Sequence, residues 1–98
     1  MDLLDDDGYP TDYALDKIKN WEMKSVDDYH NLMSFVTSIW YGGKDYIGRN
    51  KNTYRIHTVG WSGNEDVMSA LRNNRMFWLF YWKKSERGGH YVFSPMGE

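Results

Sequence analysis

Two histidines, two serines, an asparagine and an arginine fall in the C-terminal part of the chain, in the runs HTVGWSGNED (57–66) and SERGGHYVF (85–93). His57 and His90 carry the side chains there that gain and lose a proton near neutrality. Side by side they would make an acid–base pair or part of a metal site. The stretch from Gly60 to Glu65 offers different chemistry. Ser62 and Glu65 stand in the S-x-x-E relation that opens a helix, and a helix N-terminus turns free N–H groups toward an anion. Ser62 would add a hydroxyl and Asn64 an amide. Arg87 and His90 would close over the anion from the Gly88-Gly89 turn, and Trp61 would stack on the base of a nucleotide. The same residues also have a structural reading, in which Ser62 caps its own helix and the glycines make a turn and a hairpin.

Catalysis finds little support in the spacing. Gly60-Trp61-Ser62-Gly63 nearly spells a nucleophile elbow, but the second glycine comes one position early. A chain of 98 residues is also too short for the hydrolase sheet behind that motif. No spacing supplies a third metal ligand beside His57 and His90. His30, next to Asp27, reads as a surface residue of a helix. There is no P-loop or dinucleotide fingerprint. The absence of cysteine excludes disulfides, thiolate chemistry and the usual zinc fingers. The residues therefore point to a binding protein with no catalytic residue, no metal and no cofactor.

The elements that would position these residues can be read from periodicity. Thr11 caps a first helix, with Ala14, Leu15, Ile18 and Trp21 on its apolar stripe and an end near Glu22. Ser25 caps a second, longer helix, with Asp28 completing a capping box and Gly42-Gly43 stopping it. The polar segment 44–52 reads as a loop. Residues 53–59 alternate as a strand, with Tyr54, Ile56 and Thr58 on one face and Arg55, His57 and Val59 on the other. A short helix follows Ser62 and ends near Asn73-Asn74. The run MFWLFYW (76–82) reads as a central strand covered on both faces, and HYVFS (90–94) as its hairpin partner. The expected fold is α+β. Its element order is α-α-β-α-β-β, with a three-stranded, mainly antiparallel sheet packed with three helices in one domain over 1–98.

Composition narrows the partners. Net charge is −2 with both signs interspersed, which argues against a nucleic-acid polymer, because such ligands call for a basic stripe. Aromatic residues make up 17% of the chain, more than so short a chain can bury, so some should line a pocket or partner surface. Residues 1–9 read as a flexible acidic arm. Asp5, Asp6 and Asp7, together with Trp82 and Arg87, form a candidate surface for a protein partner. No leader segment and no apolar run near the roughly 20 residues of a membrane span are seen, so a soluble, cytoplasmic protein is expected.

The patterns H-T-x-G-W-S-x-N-E, M-F-W and R-G-G-H-Y-x-F, covering about the last 40 residues, resemble those of short proteins found in bacteriophages and prophages. A looser echo lies in GYPTDYALDKIKNW. The resemblance marks His57, Trp61, Ser62, Asn64, Glu65, Arg87, Gly88, Gly89 and His90 as motif positions without giving them roles. It implies a compact accessory protein of phage origin. Small phage proteins often act by binding a host protein, including inhibition of host defence systems. A small anionic ligand or nucleotide held at Gly60–Glu65 with Arg87 and His90 is the alternative.

Overall fold

The computed structural model describes residues 1–97. Among them the chain forms helix α1 (Asp12–Lys19), helix α2 (Val26–Ile39) and a single 3-10 turn (Gly43–Asp45). Strands β1 (Ile47–Asn50) and β2 (Thr53–His57) follow, then helices α3 (Ser62–Asn73) and α4 (Arg75–Tyr81), and strands β3 (Trp82–Glu86) and β4 (His90–Phe93). The class is α+β, as expected, but with four helices and a four-stranded sheet in place of three and three.

The first two helices begin where capping chemistry puts them. Thr11 Oγ1 accepts from Ala14 N at 3.2 Å. Ser25 and Asp28 close the full capping box: Asp28 N donates to Ser25 Oγ (3.3 Å) and Ser25 N donates to Asp28 Oδ2 (3.2 Å). α1 ends at Lys19, three residues before the expected Glu22. After α2 the chain reverses through Gly42 and Gly43, both at positive φ.

Two expectations are corrected. The run 76–82 is a helix through Tyr81; only Trp82 belongs to a strand. The five aromatic residues of the run suit a strand by propensity, but its cap and the spacing of its buried positions are those of a helix. Asn74 starts it by accepting from Phe77 N through Oδ1 at 3.1 Å. Burial follows helical spacing: Phe77 is buried, Trp78 and Tyr81 are half-buried, and Met76, Leu79 and Phe80 are exposed. The second correction concerns 44–52, which holds strand β1. It joins β2 through a tight turn at Lys51-Asn52, with Lys51 at φ 58°.

The sheet order is β1-β2-β4-β3, antiparallel throughout. One face carries Ile47, Tyr54, Ile56 and Phe93 into the core against α2, α3 and α4. Tyr29 of α2 sits at the centre, stacked on Tyr81 (ring centroids 4.0 Å apart) and edge-on to Tyr54 (5.4 Å). The opposite face carries Arg55, His57, His90 and Val92, because side chains alternate along each strand. Asn74 ties the helical layer together. Its Nδ2 donates to Ile18 O (2.9 Å) and Trp21 O (3.1 Å) at the end of α1.

The acidic N-terminal segment carries its own turn. Asp5 Oδ1 accepts from Asp7 N and Tyr9 N, both at 2.9 Å. Leu4 bridges to Pro10, and Leu3 packs on the core. The carboxylate-bearing residues Asp5, Asp6 and Asp7 are exposed. No helix of the described residues is long and apolar enough to cross a membrane.

Candidate functional site

The two motif runs meet in space. β2 and β4 pair so that His57 lies opposite His90. One residue further on, Thr58 N donates to Gly89 O at 3.0 Å, which joins the 58–61 turn to the hairpin tip. Thr58 is fully buried, and its Oγ1 donates to Glu65 Oε1 at 2.9 Å. Gly89 has φ +79°, and a Cβ there would collide with the Thr58 hydroxyl. Thr58, Glu65 and Gly89 thus act as a joint between strand, helix and hairpin.

Asn64 belongs to the same joint. It is fully buried, accepts from Tyr41 N through Oδ1 at 2.9 Å and donates from Nδ2 to Thr58 O at 3.2 Å. The amide expected to meet a ligand is therefore spent on the backbone. Ser62 does not cap α3. Trp61 holds the N-cap position without a side-chain bond, Ser62 is the first helical residue, and its Oγ donates to Tyr9 Oη at 3.1 Å. Glu65, the other half of the expected capping box, is turned to Thr58 instead.

His57 and His90 make contact through their Nδ1 atoms, with rings edge to face and centroids 4.3 Å apart. One Nδ1 must carry the hydrogen and the other must offer its lone pair. Burial, and then the neighbouring His90, push the His57 pKa below the ordinary histidine value. Among the described residues no group of three or more His, Cys, Asp or Glu side chains is placed to hold a metal. The sign of the pH effect follows. The folded protein resists protonation of His57 more than the unfolded chain does, so its contribution is complete above the ordinary value and lost as pH falls below it. Glu86 pairs across the hairpin with His90, and Arg55 is the next residue along this face of β2. Melting curves between pH 7.5 and 5 should show stability falling on acidification, and His57→Gln should flatten that fall. A curve unchanged by the substitution would place the pH sensitivity elsewhere.

His30 differs from its expected place on the surface. It is half-buried, with Nδ1 on Tyr54 Oη (2.7 Å) and Nε2 on Asn52 Oδ1 (2.9 Å). Its role is to join α2 to the β1–β2 turn.

Trp61 stands apart from the histidine pair. Its ring packs between Tyr9 (4.8 Å) and Tyr41 (5.2 Å). Gly63 makes room for it, since a Cβ there would strike the indole. Trp61 and Tyr41 border an open groove of ≈ 750 Å³ whose lining also includes Leu4, Trp40, Tyr46 and Val59. Asp7 is the one charged residue in that lining. Val59, at φ 51° and exposed, is a β-branched residue in the left-handed region, a costly conformation. The five bonds around Thr58, to Gly89, Gly60, Trp61, Glu65 and Asn64, hold the turn in which it sits.

Arg87 is exposed at the hairpin tip. Trp82 is 42% exposed, stacks on Trp78 and donates from Nε1 to Ser85 Oγ. Neither lines the groove. The expected site residues are thus distributed. His57 and His90 form a pair, Ser62 and Asn64 support the α3 turn, Trp61 borders the groove, and Arg87 and Trp82 lie away from it. Sequence reasoning missed Tyr9 and Tyr41, whose packing on Trp61 is tertiary, and Tyr46, which lines the groove. Comparison with protein-family models, curated proteins and solved structures gives no match.

Proposed function

We propose that this chain is a non-catalytic accessory protein of the phage kind, which binds a host protein by accepting one of its Lys or Arg side chains into the groove beside Trp61. The observation that carries this reading is the pairing of exposed aromatic walls with a single negative charge. Tyr41 is 55% exposed and Tyr46 38%, and Asp7 supplies the only charge in the lining, with Asp5 and Asp6 on the same turn. Aromatic faces attract a cation, the carboxylate completes its recognition, and partly exposed rings are the usual anchors of a protein interface. A nucleotide phosphate would meet Asp7 there with no compensating cation in the lining. Inhibition of a host defence system is the finer form of the proposal, resting on the phage resemblance.

Affinity for the partner, measured by surface plasmon resonance, is expected to fall at least about tenfold in Tyr41→Ala and in Asp7→Asn, since losing a desolvated cation–π contact or charge pair costs on the order of 1.4 kcal/mol or more. Binding should also weaken with added salt. Trp82→Ala should leave it unchanged. Full affinity in both groove variants would show that the contact lies elsewhere.

A further inference from the structure

The groove reading leaves the uncovered face of the sheet unused. Here Arg55 of β2 lies opposite Val92 of β4, and Val92 lies opposite Lys84 of β3. With Thr53, Lys83 and Ser94 these residues line a concavity of ≈ 390 Å³. Val92 is only 6% exposed yet lies outside the core cluster, so it forms the floor under the flanking side chains. The Thr53 and Ser94 hydroxyls bond each other at 3.0 Å at one end.

Three cations and no carboxylate line the concavity, in a chain of net charge −2. Among the described residues neither Arg55 nor Lys83 has an ion-pair partner. Lys84 reaches Glu86 only at 3.7 Å, with both side chains exposed, a contact of little weight. Arg55 is exposed, and Gly48 of β1, next to it in register, has open space where a Cβ would stand. Clustering three like charges on one face has a cost that a bound anion removes. Arginine offers a planar fork to a phosphate, and lysines add point charges.

We propose that this sheet face is an anion site for a phosphate-bearing small molecule, held by Arg55, Lys83 and Lys84 with the Thr53 and Ser94 hydroxyls at one end. No aromatic ring lines the concavity, so recognition rests on the phosphates and not on a base. The site is separate from the groove beside Trp61, and either can fail alone.

The test is titration of the full chain with sodium pyrophosphate, ATP and sulfate at constant ionic strength, followed by amide chemical shifts. Pyrophosphate and ATP should bind with similar affinity, at least tenfold tighter than sulfate, with shifts centred on Thr53, Arg55, Val92 and Ser94. Arg55→Gln and the double variant Lys83→Gln/Lys84→Gln should each weaken binding at least tenfold with an unchanged melting temperature, and Lys19→Gln on α1 should not. Arg55→Lys should retain part of the affinity. The proposal is overturned if pyrophosphate binds no better than sulfate, if the shifts lie elsewhere, or if Arg55→Gln binds normally. It is also overturned if a single-stranded oligonucleotide binds while pyrophosphate does not, because the face would then serve a polymer.

Discussion

Phe77→Ala is expected to cost about 3–5 kcal/mol of unfolding free energy, whereas Leu79→Ser should change it by no more than about 0.5 kcal/mol. Phe77 is fully buried, 4.9 Å from the Phe93 ring and 5.9 Å from Tyr81 by centroid. Leu79, two residues later, is 69% exposed. The contrast reports directly on secondary structure. In a strand, residues 77, 79 and 81 would share one face, and both substitutions would be severe. In helix α4 they diverge, because Phe77 and Tyr81 are a turn apart and Leu79 points away. Urea denaturation of both variants decides it. For a domain of this size the Phe77 loss corresponds to a melting temperature lower by more than about 10 °C. Similar losses in the two variants would refute the helix.

Asn64→Ala should be nearly as damaging, at about 2–4 kcal/mol. It leaves Tyr41 N without its acceptor, at about 1–3 kcal/mol for an unpaired group, and takes from Thr58 O one of its two donors, with Trp61 N remaining, at about 0.5–1.5 kcal/mol for the lost bond. Asn64→Asp should not rescue it. The carboxylate can still accept from Tyr41 N, but it replaces the donor to Thr58 O with a buried charge facing a carbonyl. Because Tyr41 and Trp61 are held relative to each other through this amide, partner binding should fail along with stability. A loss below about 0.5 kcal/mol on denaturation would mean that the amide is not the joint described above.

Much of the architecture was legible because local chemistry and tertiary structure agree. The Thr11 cap, the Ser25–Asp28 box and the alternation of Tyr54 and Ile56 state their roles within a few residues. The run 76–82 misleads because a continuous apolar, aromatic-rich stretch suits a strand as well as a helix. The seven residues have no Val, Ile or Thr, and Asn74 stands ready to cap them. β1 was missed because its four residues are polar apart from Ile47 and Gly48, and an edge strand needs only one buried position. At the site, the strand character of His57 and His90 was legible, whereas their meeting depends on the sheet order that sets β2 beside β4. The diversion of Ser62, Asn64 and Glu65 to structural work was not legible. Ser62 bonds a tyrosine 53 positions away and Asn64 a backbone group 23 away, and no local pattern encodes such partners. The groove was hidden for the same reason, since Asp7, Tyr41 and Trp61 come from three separate segments.

The groove is most directly tested by site-specific photocrosslinking in bacterial cells expressing the protein. A benzophenone amino acid would replace Tyr41 in one variant and Leu79, on the exposed side of α4, in another. The account predicts a single dominant adduct from position 41, whose partner peptide carries a Lys or Arg at or beside the crosslink, reduced by Asp7→Asn, and none from position 79. An adduct from position 79 alone, or a position 41 adduct indifferent to Asp7→Asn, would contradict it.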